Sequence, residues 1–105
     1  MDGVLAPLAP TPDAVGPVVR RTQALKAVER RLGGKVAIVS GRTIKEIDRI
    51  SDHALVSASG VHGLERRLKD GAIKRGAPDP GVAKALAAFE AFAAQRPGMI
   101  VEDKL

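Results

Sequence analysis

The sequence predicts an α/β protein, and three observations support that class. Apolar residues recur at helical intervals over 18–32, a continuous apolar run at 36–39 is typical of a buried parallel strand, and Asp70-Gly71 has the composition of a hairpin turn. The length of 105 residues leaves room for one small domain. We therefore expect alternating helices and parallel strands, joined by right-handed crossovers and packed in layers.

The first third of the chain predicts a proline-rich loop followed by a helix that ends at a pair of glycines. Residues 1–17 are rich in proline and show little apolar periodicity, which predicts an extended loop. The helix expected over 18–32 places most of its basic side chains opposite its apolar positions. Gly33-Gly34 then ends that helix.

A strand, a tight turn and a short helix follow. The run Val36-Ala37-Ile38-Val39 is bounded by glycines and predicts a strand within 35–40. Thr43 and Glu46 have the spacing of a capping box, which predicts a helix that starts there and ends near Arg49.

The second half of the chain predicts four further elements. A second strand is expected at 54–58, and two short segments within 63–75 form the hairpin. Pro80 stands at a favourable first helical position, and the helix it begins stops before Pro97. Residues 99–101 are expected to form a third short strand.

The charge balance favours an anionic partner. There are 17 basic and 12 acidic side chains, which gives a net charge of +5. Proteins that bind single-stranded nucleic acid usually interleave basic residues with aromatic stacking platforms, whereas Phe89 and Phe92 are the only aromatic residues and have the spacing of a buried helix face. A small anionic molecule is therefore preferred to nucleic acid.

Composition also limits the chemistry and the location. The absence of cysteine excludes disulfides, thiolate catalysis and cysteine-ligated zinc, and His53 and His62 are too few for a histidine-rich metal site. No apolar run approaches the roughly 18 residues that a membrane span needs, and the N-terminus lacks the pattern of a signal peptide. We expect a cytoplasmic protein that does not associate with membranes.

Two loops beside predicted strands are the main candidate sites, because ligands of open α/β sheets bind beyond the carboxyl ends of the strands. Ser40-Gly41-Arg42 could hold a phosphate through the serine hydroxyl, the amides at the following helix start and the guanidinium. Alternatively, Ser40 only caps the helix and Arg42 is solvated.

The second loop is Gly60-Val61-His62-Gly63-Leu64-Glu65, which places an imidazole and a carboxylate three residues apart. Alternatively, His62 is a surface residue and Glu65 pairs with Arg66 or Arg67. His53 lies in a polar connector, where a surface role is the simpler interpretation.

Four segments together resemble the trehalose-6-phosphate phosphatase family of the haloacid dehalogenase superfamily. They are Asp2-Gly3-Val4-Leu5 with the proline-rich loop after it, Val36 to Arg42, Gly60 to Arg67, and Val101 to Lys104. The resemblance covers essentially the whole chain. It implies a partial, Rossmann-like haloacid dehalogenase core with parallel strands, flanking helices and a hairpin. Residues 1–105 would form a single incomplete core domain that lacks the first strand and the C-terminal half, with a cap domain beginning near 101–105.

The resemblance also implies an activity, the Mg²⁺-dependent hydrolysis of trehalose 6-phosphate to trehalose and phosphate through an aspartyl-phosphate. Asp2 matches the family's general acid and base, and its backbone carbonyl would bind Mg²⁺. The nucleophilic aspartate would stand one position before Met1, so we expect the chain alone to be inactive. Ser40 would bind the phosphoryl group. The other implied phosphate or substrate contacts are Gly41, Arg42, His62, Glu65 and, from the cap side, Glu102 and Lys104.

Three other functions remain open at the level of sequence. The chain could be a non-catalytic module that binds a sugar phosphate or a partner, or a basic nucleic-acid-binding domain. Within the superfamily, it could act on another sugar phosphate or a polyol phosphate.

Overall fold

A computed structural model describes residues 1, 3–77 and 79–103, with Pro12 described by its backbone only. Within these residues the chain forms three α-helices and one mixed sheet of four strands, which confirms the α/β class. The elements are α1 (Val19–Arg31), β1 (Ile38–Val39), α2 (Ile44–Ser51), β2 (Ala58–Gly60), β3 (Glu65–Arg67), β4 (Ile73–Arg75) and α3 (Pro80–Ala94). The chain divides into two compact units, Met1–Arg75 and Gly76–Leu105.

The sheet lies in the first unit and contains only one parallel pair among the described strands. Its order is β1-β2-β3-β4, in which β1 and β2 run parallel and the other neighbours run antiparallel. β3 and β4 form the predicted hairpin around Gly71, whose φ of 82° explains the need for glycine in the turn. The expectation of mainly parallel strands is therefore only partly correct.

Two strand predictions are wrong, one in its position and the other because its residues form no strand in the described structure. β2 covers Ala58–Gly60 instead of 54–58, because Ala54 donates its N–H to Ser51 O at 3.2 Å and continues the turn after α2. Ala54 and Leu55 are apolar because they are buried in the core, not because they belong to a strand. Residues 99–101 form no strand in the described part of the chain.

α2 contributes three buried isoleucines to the core, Ile44, Ile47 and Ile50. Its residues Ile44 and Ile47 pack with Ile38, Leu55 and Ala58, so the helix covers one face of the β1–β2 pair. Burying each such side chain stabilises the fold by about 1.5–3 kcal/mol. Successive isoleucines of the helix are three residues apart, which directs them to one side of it.

The N-terminal loop is also part of the core, which its proline content did not predict. Ala6 and Val15 are buried against Ile50, and a short 3₁₀ helix occupies Pro12–Ala14. The Arg21 guanidinium fastens this loop by donating to the carbonyls of Leu5, Gly16 and Ile50 at 3.1, 2.6 and 2.7 Å. An extended loop was expected here, but long-range packing folds it onto α1 and α2.

The two faces of the sheet have different surroundings. Successive residues of a strand point to opposite faces. Ile38 faces α2 and is 4% exposed, whereas Val39 points the other way and is 70% exposed. The prediction that the apolar run is buried throughout is wrong for Val39, because no described element covers that face.

The second unit contains α3. Asp79 caps the helix by accepting the Gly81 N–H at 2.7 Å, Pro80 is its first residue, and it ends before Pro97 as expected. Phe89 and Phe92 are 62% and 49% exposed, so the expected buried face of this helix is wrong in the described structure. Among the described residues, no helix is long and apolar enough to cross a membrane.

Candidate functional site

A cleft of about 490 Å³ lies at the carboxyl ends of the parallel strands β1 and β2. This is the place where α/β sheets bind ligands. It brings together three of the residues predicted from sequence, Ser40, Gly41 and His62. The remaining lining residues are Met1, Val39, Ser59 and Gly63.

The first loop of the cleft is the turn that follows β1. The Ser40 N–H donates to Ser59 O at 2.9 Å, and the Ser40 hydroxyl accepts the Arg42 N–H at 3.2 Å. Ser40 is therefore not the helix cap, and that alternative is wrong because Thr43 occupies the cap position. The Gly41 N–H donates to no described group, which leaves it available to an anion.

Three amides at the start of α2, those of Thr43, Ile44 and Glu46, already have acceptors. Thr43 and Glu46 form the predicted capping box, in which the Glu46 N–H donates to Thr43 Oγ1 at 3.2 Å and the Thr43 N–H donates to Glu46 Oε2 at 3.0 Å. The Ile44 N–H donates to Glu65 Oε2 at 2.7 Å. These side chains occupy the donors that a phosphate was expected to use. These three amides are therefore not open to an anion at this cleft, whereas the Gly41 N–H in the turn before the helix has no described acceptor.

Arg42 is not a solvated side chain. It is only 8% exposed, and its Nη1 donates to Glu46 Oε1 at 3.4 Å. Its carbonyl accepts the Val61 N–H at 3.0 Å, so this residue also connects the two loops. Arg42 is absent from the described lining of the cleft, and its grip on an anion stays a prediction.

The second loop is held close to the first by glycine. A Cβ on Gly60 would lie 2.7 Å from Arg42 O and 2.9 Å from Ile44 N, so no side chain fits there. Val61 and His62 then adopt φ values of 47° and 53°, a region that a β-branched residue such as valine rarely enters. The long-range contacts of the loop maintain this conformation.

His62 lies over the first loop. Its N–H donates to Ser40 O at 3.4 Å, and a Cβ on Gly41 would lie 2.7 Å from its Nε2. The side chain is exposed, and His62 is one of the residues that line the cleft. The surface interpretation and the ligand interpretation of His62 are thus both compatible with its position.

The hydrogen-bond partners of Glu65 are not the ones expected from sequence. Its Oε1 accepts Arg75 Nε at 2.9 Å, and its Oε2 accepts the Ile44 N–H. The hydrogen bond from Ile44, supported by Arg75, lowers the pKa of Glu65 against the opposing effect of burial. Pairing with Arg66 or Arg67 is wrong, because Arg67 forms a two-point ion pair with Asp48 at 2.6 and 2.8 Å.

The remaining predicted residues are not among the described residues that line the cleft. Asp2 and Lys104 lie outside the described residues, and Glu102 is an exposed residue of the second unit. Their expected roles stay predictions. His53 is a surface residue as interpreted, with a side chain that is 76% exposed and an Nδ1 lying 3.6 Å from Asp48 Oδ2.

Sequence reasoning missed Ser59. Its hydroxyl-bearing side chain lies on β2 beside Val39, and it lines the cleft. Ser59 was not considered as a site residue because the strand was predicted at 54–58, which left Ser59 outside it. A strand placed three residues later would have put Ser59 at the same sheet edge as Ser40.

The described residues do not fit a Mg²⁺ site. Mg²⁺ prefers carboxylate and other oxygen ligands in octahedral geometry. The described residues of the cleft lining include no carboxylate, and the described part of the chain holds no group of three or more histidine, aspartate or glutamate side chains placed to bind a metal. The expected contribution of Asp2 lies outside these residues and stays a prediction.

Comparison with known proteins places these loops in a family. The sequence profile described as trehalose-phosphatase matches residues 1–105. A protein of Sinorhizobium fredii named probable trehalose-phosphate phosphatase is 35% identical over 104 residues, which are 99% of this chain and 39% of the relative. The trehalose-6-phosphate phosphatase of Escherichia coli is 36% identical over 67 residues, which are 64% of this chain and 25% of the relative. The chain thus spans well under half the length of these relatives, yet the match extends along all of it, and the chain belongs to the trehalose-phosphatase family.

Proposed function

We propose that the cleft binds the phosphate group of trehalose 6-phosphate, and that the whole protein hydrolyses this ester to trehalose and phosphate. The observation that carries the proposal is the position of the cleft. Two loops with the family's motif residues, one with Ser40-Gly41 and one with His62-Gly63, meet at the carboxyl ends of a parallel strand pair. That location supports recognition of a small anion, and the family supports the identity of the ester.

Each polar group of the cleft has a role in this proposal. The Gly41 N–H and the hydroxyls of Ser40 and Ser59 donate hydrogen bonds to the phosphoryl oxygens. His62 donates from its ring at the mouth of the cleft. The amide and hydroxyl donors bind a phosphate without the desolvation cost of burying a further charge.

The same residues do not supply a nucleophile. Attack on phosphorus through a covalent intermediate needs an activated group such as a carboxylate, and none lines the described cleft. We propose that Asp2 serves as general acid and base in the whole protein, that Mg²⁺ assists, and that Glu102 and Lys104 contact the sugar. These roles rest on the family resemblance alone.

Binding calorimetry and a phosphate-release assay on the purified chain test the proposal. Trehalose 6-phosphate is compared with glucose 6-phosphate and with uncharged trehalose. Preferential binding of trehalose 6-phosphate supports the proposal, and phosphate release would locate the activity in this chain itself. Absence of both binding and release would overturn it. Gly41→Ala is the informative variant, because its methyl group would displace the His62 ring.

A second candidate function is non-catalytic recognition of a sugar phosphate. The carboxylate-free lining of the described cleft favours it. Tight binding of several sugar phosphates, with no release from any of them and no preference for trehalose 6-phosphate, would support this candidate over the first.

A further inference from the structure

The exposed face of the sheet carries a polar row that begins at the cleft. The strand register places Val39 beside Ser59, Ser59 beside Arg66, and Arg66 beside Lys74. Directly paired residues of neighbouring strands point to the same face. These side chains therefore lie on the face that α2 leaves uncovered, and Val39 and Ser59 also line the cleft, so the polar row of Ser59, Arg66 and Lys74 begins there.

The two cations of this row are not neutralised within the described structure. Arg66 and Lys74 are exposed and directly opposite each other, an arrangement of like charges that destabilises a hairpin. Neither forms an ion pair with a described residue. By contrast Arg67, the neighbour of Arg66 in β3, points to the other face and pairs with Asp48 at 2.6 Å.

The spacing places these cations within reach of a ligand in the cleft. Adjacent strands lie about 4.8 Å apart, so Arg66 is one strand away from Ser59 and Lys74 is about two strands away. An arginine can donate two parallel hydrogen bonds to a phosphate, and an outer lysine raises the local concentration of anions. With increasing distance from the cleft, the row therefore presents the Ser59 hydroxyl, the Arg66 guanidinium and the Lys74 ammonium group.

We propose that Ser59, Arg66 and Lys74 form an anion-binding row that extends the cleft, in which Ser59 and Arg66 contact a phosphate group and Lys74 attracts it. The inference deepens the proposed function and rests on it for the identity of the ester. It assigns recognition of the phosphate to a residue outside the glycine loops, on the hairpin. It also accounts for the uncompensated like-charge pair, because a bound phosphate would neutralise it.

Calorimetric titration of the purified chain with inorganic phosphate tests the row independently of the sugar. Arg66→Gln should weaken phosphate binding about tenfold, since it removes a charge-assisted contact. Lys74→Gln should weaken binding about twofold to threefold at low salt and less at high salt, because a distant exposed charge is screened. Ser59→Ala should weaken binding without changing its salt dependence.

The matched control is Arg30→Gln, which removes the same charge from an exposed position of α1. Leu25 of this helix packs against the core on the covered face, so Arg30 lies on the other side of the sheet. Its phosphate affinity should stay within about twofold of the unsubstituted chain, as expected for screened charges at a distance. Circular dichroism establishes that each variant is folded before its affinity is compared.

The outcomes separate the two proposals. Equal phosphate affinities for Arg66→Gln and Arg30→Gln, or no phosphate binding by the unsubstituted chain, would overturn the anion-binding row. If phosphate binding depends on Arg66 but trehalose 6-phosphate is bound no better than glucose 6-phosphate, the row is supported and the proposed substrate is not.

Discussion

The Glu65 carboxylate accepts the backbone N–H of Ile44 at 2.7 Å, so the strand after one cleft loop caps the helix after the other. Its second oxygen binds Arg75 Nε of the neighbouring strand at 2.9 Å. One side chain therefore connects the two loops with the hairpin. The relative position of Ser40-Gly41 and His62-Gly63 depends on this connection.

Replacing Glu65 should destabilise the first unit at neutral pH. Glu65→Gln keeps an oxygen for the Ile44 N–H but loses the charge opposite Arg75, which should cost about 1 kcal/mol. Glu65→Ala leaves that N–H without its acceptor and should cost about 2–3 kcal/mol. Urea denaturation followed by circular dichroism measures both. Equal stabilities of the two variants would contradict the role assigned to the Ile44 contact.

The same carboxylate predicts a loss of stability in acid. The Ile44 hydrogen bond and Arg75 lower the pKa of Glu65 in the folded state below its ordinary value of 4.5. The resulting stabilisation is complete above the unfolded-state pKa and is lost as the pH falls through the lower folded-state value. Denaturation at a series of pH values should show this decline in the unsubstituted chain and a smaller decline in Glu65→Gln. Glu90→Gln, at an exposed position of α3, should behave as the unsubstituted chain does.

Gly60 should tolerate no side chain. In Gly60→Ala the new methyl would meet backbone atoms of Arg42 and Ile44, which can move only if the loops separate. We expect a loss of about 1–3 kcal/mol in the free energy of unfolding, as for other overpacked sites. Gly16→Ala is the control, because a Cβ there meets nothing within 4 Å and φ lies outside the left-handed region. A Gly60→Ala protein as stable as Gly16→Ala would mean that the loops are not in contact at this point.

Replacing Arg67 by lysine should lower the free energy of unfolding. Its guanidinium binds both oxygens of Asp48 and also donates to the carbonyls of Leu55 and Val56. The bond to Asp48 raises the pKa of Arg67. Lysine cannot reproduce this planar set of donors, so Arg67→Lys should cost about 1–3 kcal/mol.

The adjacent substitution Arg66→Lys serves as the control for Arg67→Lys. Arg66 is exposed on the opposite face of the same strand, and its replacement should change the unfolding free energy by less than about 0.5 kcal/mol. Thermal denaturation compares the stabilities of the two variants, and Arg67→Lys should be the less stable. A larger loss for Arg66→Lys would show that the register assigned to the hairpin is incorrect.

The left-handed backbone of His62 predicts different effects of glycine and alanine. Both His62→Gly and His62→Ala remove the imidazole and should weaken binding of trehalose 6-phosphate to a similar extent. Glycine accepts a φ of 53° without strain, whereas alanine does not, so His62→Gly should be about 1 kcal/mol more stable. Parallel calorimetry and denaturation separate the two effects. Equal stability would indicate that the loop relaxes once the ring is removed.

Local signals predicted the elements whose interactions lie close in sequence. The capping box of Thr43 and Glu46, the hairpin turn at Gly71 and the start of α3 at Pro80 were all identified correctly. Each depends on contacts within a few residues or on the backbone preference of a single residue. The family resemblance, based on four segments that include the glycine loops, was confirmed by the match along the chain.

Errors arose where the partner of a residue lies far along the chain. Ala54 and Leu55 have the composition of a strand, but the register with β1 begins at Ala58, a pairing that no local pattern shows. Phe89 and Phe92 have the spacing of a buried helix face, but both are exposed. Their spacing shows that they share a face and does not show whether another element packs against it.

The sequence by itself determined the α/β class, the turns and caps, and the two loops that carry the candidate chemistry. Only the tertiary structure decided which donors those loops leave available. Glu65, 21 residues along the chain from Ile44, accepts the Ile44 N–H, so this amide cannot serve as the phosphate donor that local sequence predicted. Hydrogen-bond donors are satisfied by whichever acceptor the fold brings near them, and proximity in the fold is set by the packing of the whole sheet and its helices.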